Sequence, residues 1–324
     1  MKRRDVFAAA TAALAAPSVV RAQATAGRLP RIGYLSPSAA SGREIDAFRT
    51  GMRAYGHVEG QTYTLEFRNA ERDNARFGAL LDELLRAGIA ILVVRGPAYQ
   101  IAGRAAQHVP VVFAISGDPV EAGLISSFAR PGGNVTGISF LALDLVPKRL
   151  SLLKEAAPAI RRIGVISNPQ HAGERGELRV TLEAARTLGV EIVYQQVHTS
   201  AEIAGALAAI SRANCDALSA FPEALTSDAA SELAAFAADN DMPSVFGWRN
   251  FCVAGGLMSY GPNLQDANVR MAYFVDRILR GAKPAELPAE LPRAIELVIN
   301  LRTAIRLGLT IPHVLISRAD EVIE

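Results

Sequence analysis

The sequence predicts an α/β protein built as two doubly wound parallel-sheet lobes joined by a three-crossing hinge. Three observations carry that expectation. Short apolar strand runs alternate with amphipathic helical stretches, and the alternation occurs twice over. A stretch rich in chain breaks, Ser116 to Phe140 (SGDPVEAGLISSFARPGGNVTGISF), separates the two rounds. A further helix and strand follow the second round, as if the chain revisits the first lobe and returns.

The first round starts at Arg31–Leu35, a short apolar strand followed by Ser36-Pro37-Ser38. Ser41 to Glu44 has the capping-box pattern, and Ile45, Phe48, Met52 and Tyr55 recur at helical spacing. Residues 62–67 alternate like a strand. Asp73 opens a helix carrying Phe77, Leu80, Leu81 and Leu84 on one face. Residues 89–94 are continuously apolar, as in a strand covered on both sides. A short helix over 97–107 and a strand over 109–115 close the round. The stretch 116–140 then breaks at Asp118-Pro119 and Pro131-Gly132-Gly133-Asn134 and re-enters extended chain at Thr136.

The second round reads helix 144–156, strand 162–167, helix 174–188, strand 190–197, a helix to about 212, strand 217–221, helix 227–240 and strand 244–247. Leu257–Gly261 is extended, 264–280 is a long helix, 295–299 is a strand, and Asn300 caps a last helix. The expected division is 31–139 plus 262–292 for lobe one and 140–261 plus 293–324 for lobe two.

A chain of 324 residues with half its residues hydrophobic has material for two cores. The net charge of +2, with no basic run in the body of the chain, argues against nucleic acid as partner. Residues 1–24 have the form of a secretory signal: Lys2-Arg3-Arg4, an Ala-rich apolar run, then Ala22-Gln23-Ala24. The Arg3-Arg4 pair fits twin-arginine export, with ordinary Sec export as the alternative. The expectation is a soluble, exported, periplasmic protein. Cys215 and Cys252 are readable as a disulfide permitted by that compartment or as two buried small hydrophobes.

No nucleophile elbow, P-loop, dinucleotide fingerprint or metal-ligand spacing is present, and the five histidines are scattered. No catalytic residue, metal or cofactor is therefore expected. What remains is a set of residues at the carboxyl ends of the expected strands, where open α/β sheets bind ligands. Ser36 and Ser38 follow the first strand; Arg95, Pro97 and Ala98 follow the third; Asp118 and Ser139 flank the central stretch. Asn168, Phe221, Phe246 and Trp248 follow strands of the second round, and Tyr260 lies on a crossing strand. Each has a plainer reading: a turn or helix cap for Ser, Asn and Asp118, core packing for the two Phe.

Asp118-Pro119-Val120, Gly123-Leu124 and Ala129-Arg130-Pro131-Gly132-Gly133-Asn134-Val135-Thr136-Gly137 resemble the central signature of the periplasmic substrate-binding proteins of ABC transporters. Tyr260-Gly261-Pro262-Asn263 resembles their late crossing motif. Glu296–Leu301, Leu307–Pro312 and Arg318–Ile323 resemble their C-terminus. The resemblance implies the type I periplasmic binding fold and a monomeric, non-enzymatic receptor. Such a receptor captures a small solute, an amino acid or similar small carboxylate, by hinge closure and delivers it to a membrane permease. Arg95 and Ser219-Ala220-Phe221 depart from the pattern beside the expected cleft. Arg95 is open to two readings, a bidentate partner for a ligand carboxylate or a surface arginine. Two rivals remain: a ligand-sensing subunit of a membrane signalling protein, and an exported α/β hydrolase.

Overall fold

Alternate residues of the central strands feed opposite cores, and this places helices on both faces of each sheet. The computed structural model describes residues 29–37, 42–140 and 143–324. The signal-peptide reading of 1–24 and the site candidate Ser38 lie outside the described residues.

Chain order in the first lobe is β1 (Arg31–Ser36), α1 (Gly42–Ala54), β2 (Thr64–Asn69), α2 (Phe77–Arg86), β3 (Ile91–Arg95), α3 (Ala102–Ala106), β4 (Val111–Ile115) and β5 (Val135–Ser139). The strands form one parallel sheet ordered β2-β1-β3-β4-β5. Ile91 and Val93 of β3 enter the core shared with α1, while Leu92 and Val94 enter the core shared with α2 and α3. That period of two is the strand pleat itself.

The second lobe contains α4 (Leu145–Ala156), β6 (Arg162–Ser167), α5 (Glu174–Leu188), β7 (Glu191–Gln196), α6 (Ile203–Arg212) and β8 (Ala217–Ala220). It continues with α7 (Ala224–Asp228), α8 (Ala230–Asp239), β9 (Ser244–Phe246), α9 (Arg249–Val253) and β10 (Met258–Pro262). The chain then leaves this sheet. Helix α10 (Leu264–Leu279) is capped by Asn263, whose side chain accepts from the Asp266 N–H. Its Met271, Phe274 and Val275 complete the α1-side core of the first lobe. The helices approach so closely that a Cβ on Gly51 would lie 2.4 Å from the Val269 carbonyl oxygen. The chain crosses back into β11 (Ile295–Asn300), α11 (Leu301–Arg306), α12 (His313–Ile316) and β12 (Glu321–Ile323). The second sheet is ordered β12-β11-β10-β9-β8-β6-β7. All its pairs are parallel except β10 with β11.

Three strands of chain therefore join the lobes: after β5, between β10 and α10, and before β11. Three tethers permit bending and oppose free twisting.

Several elements differ from the sequence expectation. The helix expected over 97–107 is a 3-10 turn, Gly96–Ile101, followed by α3. The helix expected over 227–240 is two, α7 and α8, because Glu223 caps a helix starting at Ala224. Near the C-terminus, Asp320 and Glu321 are structural. The Leu297 N–H donates to Asp320 Oδ2 at 2.8 Å, and Arg249 Nε and Nη2 each donate to a Glu321 oxygen at 2.5 Å. Cys215 and Cys252 are free buried thiols, pushed by burial up to about 11 and about 12.

Candidate ligand-binding cleft

The carboxyl ends of both sheets face one another, and a cavity of about 280 Å³ lies between them. The first lobe supplies Ser36 at the end of β1, Glu44 on α1, Arg95 and Gly96 at the end of β3, and Ala114 and Ser116 around the end of β4, with Phe140 at the first crossing. The second lobe supplies Ala224, Ser227 and Asp228 of α7 with Trp248 and Asn250 of α9. Leu264, just past the second crossing, closes the hinge side. Asn250 Nδ2 donates to Ser227 Oγ at 3.0 Å, tying the two short helices of this wall together.

Arg95 and Glu44 form the charged part of the first-lobe wall. Arg95 Nη1 and Nη2 donate to Glu44 Oε2 and Oε1, the latter at 3.0 Å. Their side chains are 11% and 22% exposed, so the pair is largely withdrawn from water but open to the cavity. Burial works against the guanidinium charge; Tyr34 and Glu44 outweigh it and hold Arg95 protonated. Burial pushes the Tyr34 phenol up to about 12. Its hydroxyl donates to Asn268 Oδ1 at 3.3 Å, and Asn268 Nδ2 donates to the Leu264 carbonyl at 2.6 Å. Behind the charged pair, Tyr34 of β1 is thus linked through Asn268 to the first turn of α10 beside the hinge.

The lobes touch outside the cavity as well. Arg72 Nε lies 3.0 Å from Asp228 Oδ2 across the cleft. Ser116 Oγ lies 3.5 Å from His171 Nδ1. A Cβ on Gly117 would fall 2.3 Å from the Ala172 Cβ. These contacts define a closed arrangement of the lobes. Behind them, His171 Nε2 is 3.4 Å from Glu177 Oε2, and neither atom makes a hydrogen bond. Buried Arg149 donates to the Tyr260 carbonyl at 3.1 Å, and burial lowers its pKa.

The twelve sequence candidates separate clearly. Ser36, Arg95 and Trp248 stand on the cavity wall, while Pro97 and Asn168 line a small adjoining void of about 20 Å³. Apart from Ser38, which lies outside the described residues, the others stand off the cavity wall. Ala98 has no accessible surface and packs in the first-lobe core. Asp118 accepts from the Val120 and Glu121 N–H groups at 2.7 and 3.3 Å, the turn reading. Ser139 is buried and donates to the Gly117 carbonyl at 2.8 Å. Phe221 is core, beside Tyr194. Phe246 is core, stacked on Phe251 at 4.3 Å. The Tyr260 ring packs on the same core as Phe221.

Sequence reasoning passed over Glu44, Ser116, Ser227 and Asp228. Glu44 was read only as part of a cap. Ser227 and Asp228 end a short helix, so a search along strand ends misses them.

The chain belongs to the family described as ABC transporter substrate binding protein, matched over residues 39–323. It is 25% identical over 247 residues to a tyrosine-binding protein of Clostridioides difficile (strain R20291), covering 76% of this chain and 70% of the relative. A conserved domain protein from Vibrio cholerae O1 biovar El Tor superposes with a TM-score of 0.84 at 26% identity, over 91% of this chain and 100% of that one. An ABC domain from Streptococcus pneumonia, solved in complex with L-Trp, superposes at 0.83 with 24% identity, again over 91% and 100%. The family is one of binding proteins rather than enzymes. The type I periplasmic binding fold follows from the architecture and these likenesses together. Among the described residues no helix is long and apolar enough to cross a membrane.

Proposed function

We propose that the protein is the exported solute receptor of an ABC importer, binding an amino acid between its lobes and passing it unchanged to a membrane permease. The observation that carries this reading is the interlobe cavity, with Arg95 and Glu44 on one wall and Trp248 on the other. It belongs to a chain whose relatives include a tyrosine-binding protein and, in fold, a protein solved with L-Trp. Adjacent fixed charges of opposite sign complement a zwitterion, and an indole face suits an apolar or aromatic side chain. In this reading the lobes 31–139 plus 262–292 and 140–261 plus 293–324 move as rigid bodies. Solute binds one lobe, and contacts with the other shift the population to the closed form.

The test is a thermal-shift screen of L-amino acids, with mass spectrometry of the solute before and after incubation. A ligand bound only by the folded state raises the melting temperature, and its recovered mass is unchanged. Absence of a shift with every amino acid, or chemical turnover of the solute, rejects the reading.

A further inference from the structure

The arginine that sequence reasoning offered to a ligand carboxylate is already occupied by one. Both Arg95 terminal nitrogens lie on Glu44, in a wall that faces the cavity. The carboxylate reaches Arg95 from α1, and behind the pair the Tyr34 hydroxyl donates to Asn268 Oδ1. Both terminal nitrogens of Arg95 are thus engaged by Glu44, and Glu44, twice as exposed as Arg95, is the more open half of the pair. The other described acid on the wall, Asp228, is likewise within ion-pair distance of an arginine, Arg72.

We propose that Glu44 is a built-in competitor for Arg95 and determines which charge type the cavity accepts. With Glu44 in place, a simple monocarboxylate must displace a bidentate, pre-positioned carboxylate and leave it unpaired in a poorly hydrated wall. Solutes bearing only a negative charge are therefore discriminated against. Solutes with a cationic group gain, because that group can approach Glu44 while Glu44 stays on Arg95. This inference deepens the receptor reading by naming the residue that sets ligand charge, and it narrows the expected solute away from simple carboxylates. It does not depend on the solute being an amino acid.

Trp248 is the single tryptophan of the chain and lines the cavity, so its fluorescence reports occupancy directly. The experiment titrates acetate and, as neutral control, acetamide into the wild type and into Glu44→Gln, with melting temperature followed in parallel. The expected result is acetate binding at least tenfold tighter in Glu44→Gln than in the wild type, with acetamide unchanged. Acetate also raises the melting temperature of the variant more than that of the wild type. Adding Arg95→Gln to Glu44→Gln abolishes the gain. Should Glu44→Gln fold poorly, Glu44→Asp keeps the charge but draws it back, and an intermediate gain is expected. Equal acetate affinity in the wild type and in whichever variant folds overturns the proposal, as does a gain shared equally by acetamide. Neither result bears on whether amino acids bind, so the charge rule and the receptor reading fail separately.

Discussion

Tyr34 shows how much a single buried hydroxyl carries in this site. It lies behind Arg95 and in front of Asn268, and it has no accessible surface. Replacing it with Phe keeps the ring packing against Phe48 and Phe67 but leaves the Asn268 oxygen without its donor. A buried acceptor left unpaired costs about 1–3 kcal/mol. Tyr34→Phe is therefore expected to lose about that much stability in urea denaturation, with ligand affinity falling because Arg95 is less firmly held. Unchanged stability and affinity would remove the bridge between cleft and hinge. Burial also gives Tyr34 a pH signature. Its folded pKa of about 12 lies above the ordinary value of 10, so the folded state keeps a proton that the unfolded state loses. The contribution is complete below pH 10 and falls away as pH rises toward 12, by about 3 kcal/mol. Tyr194, also raised to about 12, and the thiols of Cys215 and Cys252 push in the same direction. Loss of stability, followed by circular dichroism, is expected to begin near pH 9, with the thiols, and to steepen above pH 10, and Tyr34→Phe should flatten the slope above pH 10. At this scale the sequence told half the story. Residues on strand ends, such as Ser36 and Arg95, were legible from topology. Glu44 was not, because a helical Glu one turn into a capping pattern has a sufficient local explanation.

The elements were mostly readable because their cores impose period and composition. Both sheets, their longer helices and the three crossings follow from apolar runs and breaks visible in the chain, while the short helices α9 and α12 do not. Edges were harder to see. Strand β12 is three residues long with a charged first position, and nothing local separates it from a solvated tail. It is fixed by distant partners, Arg249 and the backbone of β11. The turn after β4 behaves likewise. Gly117 has no unusual requirement within its own loop; its constraint comes from Ala172 in the other lobe. That gives the element-scale prediction. Gly117→Ala places a methyl group where the closed seam has no room, while the open form leaves it free. The variant is expected to keep its unliganded melting temperature within a degree or two and to lose ligand affinity at least tenfold, about 1.4 kcal/mol. Calorimetry and small-angle scattering measure the two sides of this. Wild-type affinity in a variant that still compacts on binding ligand would show that the seam opens elsewhere.

For the whole molecule, the proposed receptor raises the question of what would hold the closed form once ligand is in place. Besides the cavity wall, the lobes meet through Arg72 and Asp228. The Arg72 backbone is held left-handed (φ 67), directly after Glu71 in the same conformation (φ 53). Non-glycine residues in that region cost of order 1–3 kcal/mol each. The Arg72 N–H donates to the Pro37 carbonyl at 2.8 Å, and the Glu71 N–H to Asn69 Oδ1 at 2.9 Å, which offsets part of that cost. The bend turns Arg72 toward the opposite lobe. Its side chain is 62% exposed, so the pair with Asp228 is screened, and such pairs contribute only about 0.2–1 kcal/mol. The effect should therefore be modest and kinetic. Opening must break the pair, whereas the first encounter of ligand with the open form does not involve it. Arg72→Ala is expected to raise the dissociation rate up to about fivefold at low salt and to leave the association rate within twofold. The difference should shrink as ionic strength approaches 1 M, where screening acts within about 3 Å. Stopped-flow tryptophan fluorescence across a salt series reads both rates, since Trp248 sits on the wall being closed. An Arg72→Ala effect confined to association, or one that grows with salt, would mean the pair steers ligand inward instead of holding the lobes shut.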